Sequence, residues 1–190
     1  WVQRITSYAR SHTIARISDD NLKAIRDAGL NRIHIGLESG SDEVLKLVKK
    51  GVDKATHIKA GQKVKRAGME LSEYVMPGLG GRALSREHAL ETADALNQID
   101  PDFIRFRTLR FPDDRPLYAG DDTGLYRRSG DLTRAREMRL LISRLEGISS
   151  RITSDHMNNL LENVNGRLPE DKQKMLGILT GFIDMAPEKR

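Results

Sequence analysis

Four strand-like stretches recur along the first part of the chain, and each is followed by a stretch with helical periodicity. The strand-like stretches are Val2–Tyr8, Arg32–Leu37, Leu71–Met76 and Phe103–Leu109, so consecutive strands begin about 30 to 38 residues apart. Helices that fill gaps of this length are typical of βα units with a parallel sheet. Four units are too few to close an eight-stranded barrel. We therefore predict an α/β fold, namely a partial, TIM-like (βα) barrel with about four parallel strands.

Local patterns within this unit predict which residues are buried and which residues begin helices. In the first strand, Val2, Ile5 and Tyr8 are predicted to lie in the core. Ser18 precedes an apolar helical stripe, and Ser85 precedes another that extends to Asn97. Because a serine hydroxyl can accept a hydrogen bond from a free N–H group of the first helical turn, both serines are predicted to be N-caps.

The composition changes beyond Phe111, since residues 112–131 are rich in Asp, Gly, Arg and Pro. This composition is typical of a long loop or linker. Regular apolar stripes then return and predict helices that pack on the barrel or on each other. We predict a barrel unit over residues 1–118, a linker over 119–131 and a helical C-terminal extension over 132–190. The predicted helices of the extension are Leu132–Gly147, Asp155–Asn165 and one from Pro169 to about Met185, with a short strand compatible with Arg151–Ser154.

The stretch Asn31–Gly51, NRIHIGLESGSDEVLKLVKKG, joins the second strand to the following helix through a polar turn. In α/β proteins, the turns at the carboxyl ends of parallel strands are the usual place for ligands. This turn offers the Glu38 carboxylate, the Ser39 hydroxyl and free backbone N–H groups, and Lys50 follows after the helix. It is therefore the first candidate for a functional site.

Charge and composition limit the partners and the chemistry of the chain. It has 32 basic and 27 acidic residues, a net charge of +5 and no cysteine, so it contains neither disulfides nor thiolate metal ligands. No apolar run is long enough to span a bilayer, and we expect a cytoplasmic protein without a membrane partner. Interspersed charges favour a solvated surface over a nucleic-acid face. Because the sequence begins with Trp1 and enters a strand at once, we expect it to be a piece of a longer protein.

Three segments occur in the order found in the radical SAM superfamily, whose members hold S-adenosylmethionine (SAM) and a 4Fe-4S cluster in a partial (βα)6 barrel. GLESGSDEVLKLVKKG, residues 36–51, resembles the fourth strand and following helix of B12-type, methylthiotransferase-like and coproporphyrinogen-oxidase-like members. YVMPGLGG, residues 74–81, is similar to their fifth strand and its glycine turn. PDFIRFRTLRFPDDRPLY, residues 101–118, is similar to their sixth strand. The resemblance implies that the chain contains strands three to six of such a core.

The resemblance also implies a set of SAM-binding residues, each with a structural alternative. Glu38 matches the position that binds the ribose hydroxyls; alternatively, it stabilises the start of the helix. Ser39 is a second hydroxyl candidate or a plain turn residue. Lys50 matches the cation that pairs with the SAM carboxylate; a solvated lysine, or Lys49 in that role, is the alternative. Gly78 and Gly80 would let the backbone approach the nucleoside, or they simply form a turn.

One departure from the family limits what this sequence does alone. The CxxxCxxC loop that holds the cluster is absent, because the sequence has no cysteine. We therefore expect the SAM-binding half of a radical SAM enzyme core, inactive by itself, whose cluster ligands and N-terminal barrel half lie elsewhere. Its substrate is not identifiable from the sequence. Two alternatives remain open: a non-catalytic α/β interaction module and part of a tRNA-modifying radical enzyme.

Overall fold

The computed structural model describes residues 2–108 and 127–185. Most of the predicted linker, and the part of the third family segment that follows residue 108, lie outside the described residues. No described helix combines the length and the apolar character needed to cross a membrane. The strands are β1 (Ile5–Ala9), β2 (Leu30–Glu38), β3 (Glu70–Val75), β4 (Phe103–Phe106), β5 (Arg151–Thr153) and β6 (Gly166–Arg167). The helices are α1 (Ser11–Arg16), α2 (Asp19–Asp27), α3 (Asp42–Leu47), α4 (Lys54–Arg66), α5 (Ser85–Ile99), α6 (Asp131–Ser143) and α7 (Lys172–Asp184).

The six strands form one sheet in the order of the sequence. Neighbouring strands from β1 to β5 are parallel, and only the two-residue β6 runs antiparallel to its neighbour. Helical crossovers explain this arrangement, because parallel neighbours need a connection that returns to the same edge of the sheet. The predicted parallel, sequential order of the first four strands is confirmed, and the sheet is the core of a partial barrel.

The core lies between one face of the sheet and the helices. Alternate strand residues such as Ile33, Ile35, Leu71 and Ile104 are at most 2% exposed and pack against the helices. Burial of each such side chain contributes about 1.5–3 kcal/mol to folding. One of two apolar clusters extends from Leu37, Val75 and Ile104 into α6 and α7, through Met138, Leu141, Met175 and Leu179. As predicted, the apolar stripes of the C-terminal residues pack on the sheet.

The prediction that the first strand contributes core residues is wrong. Val2 is 81% exposed, Ile5 is 48% exposed and Tyr8 is 74% exposed. β1 is the terminal strand of the described sheet, so its side chains have a neighbouring strand on one side only. An alternating pattern shows that a strand has two different faces, but it does not show whether anything covers them.

The predicted helix over Asp155–Asn165 is also wrong, because this segment forms turns that lead into β6. Its asparagine side chains bind backbone groups outside the segment, and these bonds hold it in a non-helical conformation. Asn159 Nδ2 donates to the Phe106 carbonyl at 3.0 Å, and Asn165 Oδ1 accepts from the Ser154 N–H at 2.7 Å. Side-chain bonds of this kind compete with helix formation. The short strand that the sequence suggested at residues 151–154 is present as β5. The sheet therefore has more parallel strands than the four that were predicted.

Of the two predicted helix caps, one is confirmed and one is wrong. The Ser18 hydroxyl accepts from the Asn21 N–H at 3.2 Å, as predicted. Ser85 is the first residue of α5 and not the residue before it, and its hydroxyl donates to the Glu137 carboxylate. The structure adds a cap that was not among these two, because the Ser41 hydroxyl accepts from the Val44 N–H at 3.2 Å.

Candidate functional site

Glu38 ends β2 in a backbone conformation that few residues with side chains adopt. Its φ is +62°, and the Ser39 N–H donates to the Leu37 carbonyl at 2.7 Å, which closes a three-residue turn around it. The register between β2 and β3 shifts between Gly36 and Glu38. Left-handed conformations of this kind cost on the order of 1–3 kcal/mol and are concentrated at functional sites. The turn thus aims a carboxylate away from the regular strand, at the carboxyl edge of the sheet.

The Glu38 carboxylate lies back over Gly36 and beside Lys50. A Cβ at Gly36 would overlap Glu38 Oε1 and lie 3.2 Å from Lys50 Nζ, so only glycine leaves this space free. Lys50 Nζ is 3.3 Å from Glu38 Oε1, and the two side chains are 29% and 22% exposed. Burial raises the pKa of the Glu38 carboxyl above its usual value, and Lys50 opposes this rise. The structure therefore brings together two of the predicted site residues in one partly open pair.

A second carboxyl, which sequence reasoning missed, lies in β3 close to this pair. Glu73 is fully buried, between Leu71 and Val75 on the core face, and neither of its oxygens has a hydrogen-bond partner among the described residues. Burial and the nearby Glu38 raise its pKa well above the usual value, with smaller opposing effects from the Leu37 amide and Lys50. Its surroundings therefore favour the uncharged form of this carboxyl.

The rest of the turn is fixed against α5. The Gly40 N–H donates to Thr92 Oγ1 at 2.9 Å. Ser39 is fully buried, and its hydroxyl contacts His88 Nδ1 at 2.9 Å and accepts from the Ser41 N–H at 3.0 Å. These bonds place the Ser39 hydroxyl inside the protein, away from the Glu38–Lys50 pair. Its observed role is to hold the turn in place.

The glycine turn after β3 is buried as well, and its predicted residues contact protein. The Gly78 N–H donates to Glu137 Oε1 at 2.6 Å, and a Cβ at this residue would lie 3.0 Å from the Arg134 side chain. A Cβ at Gly80 would lie 3.0 Å from Val44 and from Leu84. The observed contacts of Gly78 are with α6, and those of Gly80 are with α3 and with the residue before α5. Their small size allows α3, α5 and α6 to approach the turn.

A buried polar group links the two turns. Glu137 is 3% exposed, and burial raises the pKa of its carboxyl to about 7, although the Ser85 hydroxyl and the Gly78 N–H oppose this. His88 Nε2 is 3.6 Å from Glu137 Oε1, and burial lowers the pKa of His88 to about 4. His88 is therefore neutral at pH 7 and does not form an ion pair. The turn after β2 is therefore connected with the turn after β3 through a series of contacts that runs over Ser39, His88, Glu137 and Gly78.

A basic cleft opens beside Lys50, between α1 and the connection from α3 to α4. It has a volume of about 560 Å³, and Gly36 and Lys50 line its inner end. A neighbouring cleft of about 770 Å³ shares several of its residues. Within the part of the chain that the structure describes, four cations of these clefts pair with no carboxylate: Arg10, Arg16, Lys49 and Lys59.

The sheet face opposite the helices, here called the inner face, carries polar and aromatic side chains. His34 and Tyr74 alternate along their strands with core residues, as does Arg105 in β4. The alternation was visible in the sequence, but which of the two sets faced the helices was not. The inner-face residues include Tyr8, Arg32, His34, Ser72, Tyr74, Phe103, Arg105 and Thr153.

The described residues thus form a parallel α/β partial barrel whose carboxyl edge, the usual place for ligands in such folds, carries a strained acidic turn. Residues 4–96 match the model of the Radical SAM superfamily. Residues 4–96 therefore carry a radical SAM superfamily domain, as the sequence segments indicated, and the sequence has no cysteine that could ligate a cluster.

Known proteins with a similar sequence or fold extend well beyond the matched region. The tRNA uridine(34) acetyltransferase of Methanocaldococcus infernus is 30% identical over 87 residues, which cover 46% of this chain and 16% of that protein. The structure of Elp3 from Methanocaldococcus infernus with an N-terminal deletion has a TM-score of 0.64 at 19% identity and covers 95% of this chain and 41% of that one. Methylornithine synthase (PylB) has a TM-score of 0.56 at 16% identity, covering 93% and 45%. The chain thus spans less than half of each of these proteins, and at these identities the two structures show the fold alone.

Proposed function

We propose that this chain is the SAM-binding part of the core of a radical SAM enzyme. The observation that carries the proposal is Glu38, whose carboxylate is held by a left-handed turn at the carboxyl edge of the sheet. Strain of this kind persists only where the surrounding structure imposes it. Here the bonds of Gly40 and Ser39 to α5 impose it.

The residues at this edge fit the two polar ends of SAM. The Glu38 carboxylate accepts hydrogen bonds from the ribose diol, as acidic residues do in dinucleotide-binding folds. Lys50, which is 29% exposed and held by one bond of 3.3 Å, can turn from Glu38 to the carboxylate of SAM. The family pattern gives three further candidates for cofactor binding, namely Ser39, Gly78 and Gly80. In this proposal they contribute indirectly, because they hold the two turns in place.

When bound, SAM supplies a sulfonium group for reductive cleavage. The cysteine-free sequence provides no thiolate for the 4Fe-4S cluster that delivers the electron. In this proposal the cluster ligands belong to another part of the complete enzyme. This chain contributes binding and orientation, and it does not cleave SAM by itself.

The test is the SAM affinity of Glu38→Gln in the complete enzyme with its cluster reconstituted. Glutamine keeps the shape and one acceptor but loses the charge, and hydrogen bonds to charged groups are worth about 1.5–3 kcal/mol. We expect the dissociation constant for SAM, measured by calorimetric titration, to rise about ten- to a hundredfold. The melting temperature is expected to change little. Glu43→Gln is the matched control, because Glu43 is an exposed acid that pairs with Lys46 in the same way on α3.

A second variant tests the position of the carboxylate rather than its charge. Gly36→Ala places a methyl group where Glu38 Oε1 now lies, and the flexible end of Glu38 can move aside at small cost to stability. We expect SAM affinity to fall as in Glu38→Gln. Wild-type affinity in both variants, with a lowered melting temperature, would show that Glu38 only stabilises the turn.

The basic cleft favours a second candidate, part of a tRNA-modifying radical enzyme. The relative with 30% identity is named for acetylation of a tRNA uridine. Arg10, Arg16, Lys49 and Lys59 offer phosphate contacts beside the proposed SAM edge.

Filter binding of tRNA at several salt concentrations tests this candidate. Each phosphate contact contributes about 0.7–0.9 to the slope of log K against log salt. Lys49→Gln and Lys59→Gln are therefore expected to weaken binding and to reduce that slope. Lys174→Gln, which removes an exposed lysine of α7, is the control with the same change in charge. Equal losses in all three variants would indicate non-specific attraction and remove this candidate.

A further inference from the structure

The inner face carries buried polar atoms that the fold does not use. His34 Nδ1, Ser72 Oγ, Arg105 Nε and Thr153 Oγ1 have no hydrogen-bond partner among the described residues. They lie on four adjacent strands, β2 to β5, and Ser72 is fully buried. Most buried polar groups in proteins are paired, and each unpaired one costs free energy. Four such atoms on one face therefore point to a ligand rather than to chance.

Three rings on β1, β2 and β3 stack with one another next to these atoms, and this stack is here called the platform. The centroids of Tyr8 and His34 are 5.0 Å apart, and those of His34 and Tyr74 are 5.6 Å apart. The rings of Tyr8 and Tyr74 are inclined by 6° and their hydroxyls are 3.2 Å apart. Tyr8 is 74% exposed, so one end of the platform is open. Near-parallel rings of this kind favour stacking with a flat, conjugated group.

Two arginines extend the platform on its other side, and both contact one weakly held carboxylate. Arg105 Nη1 is 3.4 Å from Asp155 Oδ2, and Arg107 Nη1 is 3.5 Å from Asp155 Oδ1. Both distances are long for an arginine–carboxylate pair, and Asp155 is 55% exposed. Arg107 also lies over the Tyr74 ring, 4.8 Å from its centroid. The guanidinium pair therefore has one positive charge in excess, at the edge of the platform.

We propose that the inner face binds a small, flat carboxylic acid, with the carboxylate on Arg105 and Arg107 and the conjugated part stacked on the exposed ring of Tyr8. Asp155 shows that a carboxylate fits between these guanidiniums, and its exposed position allows a ligand to replace it. His34 and Ser72 then bind polar groups of the flat part. Binding of this acid does not depend on the proposed function. The inner face lies beside the Glu38–Lys50 edge, so the acid would be the substrate of the complete enzyme, and only this further step rests on the proposed function.

The experiment is a titration of this chain, without SAM, with benzoate as the probe. Ring resonances of Tyr8 and Tyr74 in NMR spectra report binding at the platform, and they separate it from binding in the basic cleft. Benzamide is the flat, neutral control, and cyclohexanecarboxylate is the anionic control that is not flat. Because both the charge and the stacking are needed, we expect each control to bind at least about tenfold more weakly than benzoate. Inorganic phosphate tests whether any small anion suffices.

Variants of the two ends make the test specific. Arg107→Gln and Tyr8→Ala are each expected to weaken benzoate binding at least about tenfold. Arg139→Gln, an exposed arginine of α6, is the matched control and is expected to leave it unchanged. Asp155→Asn removes the competing carboxylate and is expected to strengthen binding. Retained far-UV circular dichroism checks the fold of each variant.

Several outcomes would overturn the proposal. The first is that the tyrosine resonances do not shift at the highest soluble benzoate concentration, and the second is that benzamide or phosphate binds as tightly as benzoate. The others are that Arg139→Gln weakens benzoate binding as much as Arg107→Gln does, or that Asp155→Asn weakens it. Glu38→Gln is expected to leave benzoate binding unchanged. Unchanged SAM affinity in Glu38→Gln, with benzoate binding retained, would therefore refute the proposed function and leave this site in place.

Discussion

Replacing Gly40 with alanine is expected to lower the free energy of unfolding by about 3 kcal/mol or more. A Cβ at Gly40 would lie 2.6 Å from the backbone carbon of Glu91 and 2.7 Å from Thr92 Cα, and it would overlap the Glu91 carbonyl oxygen. These atoms belong to the backbone of α5, so no side-chain rotation can relieve the overlap. Urea unfolding followed by circular dichroism measures the change.

Gly177→Ala is the control for this prediction. Gly177 lies within α7 and a Cβ there would meet nothing within 4 Å. The same substitution is therefore expected to raise the free energy of unfolding by roughly 0.5–1 kcal/mol, because alanine is the better helix residue. If Gly40→Ala were as stable as the wild type, the turn after β2 would not be held against α5, and the basis for the strain at Glu38 would be lost.

The second large effect is expected from Glu137→Gln, as a change in the pH dependence of stability. In the folded protein the pKa of Glu137 rises from the usual 4.5 to about 7. The stability that this group contributes is present below pH 4.5 and is lost as the pH rises through 7, because the unfolded chain ionises first. The shift corresponds to about 3 kcal/mol. Glutamine does not ionise, and it can still accept a bond from Gly78.

The measurement is the difference in unfolding free energy between wild type and variant from pH 4.5 to 8. Relative to the wild type, Glu137→Gln is expected to gain about 3 kcal/mol over this range. The difference is the informative quantity, because His88 acts in the opposite direction: its lowered pKa of about 4 removes stability as the pH falls below 6.5. Glu146→Gln, an exposed acid after α6, is the control. A constant difference across the range would mean that Glu137 ionises normally.

Local chemistry explains the parts of the fold that the sequence predicted. Ser18 begins a helix because its hydroxyl satisfies the N–H group three residues further on. The order of the strands follows from short helical crossovers. Two of the candidate site residues, Glu38 and Lys50, are also local, since they are twelve residues apart and one short helix brings them together.

Contacts between distant residues explain what the sequence did not predict. Ser39 was a ligand candidate, but α5 supplies His88 and covers it. Ser85 lost its role as a cap to a carboxylate 52 residues later. Tyr8 lacks cover because β1 is the terminal strand of the described sheet. The Glu38 φ of +62° could not be read from residue type, because glutamate rarely adopts it.

The link between the two turns also has a consequence for the order in which a nascent chain matures. Glu137, which binds the Gly78 N–H, emerges from the ribosome 59 residues after Gly78. When β1, β2 and β3 are already synthesised, the glycine turn and the start of α5 still lack their acceptor. Chains fold from the N-terminus during synthesis, and contacts that are distant in sequence form slowly. The carboxyl edge of the sheet is therefore synthesised early but becomes rigid only after α6 has been added. A chaperone that binds the nascent chain before that point would bind this edge while it is still incompletely folded.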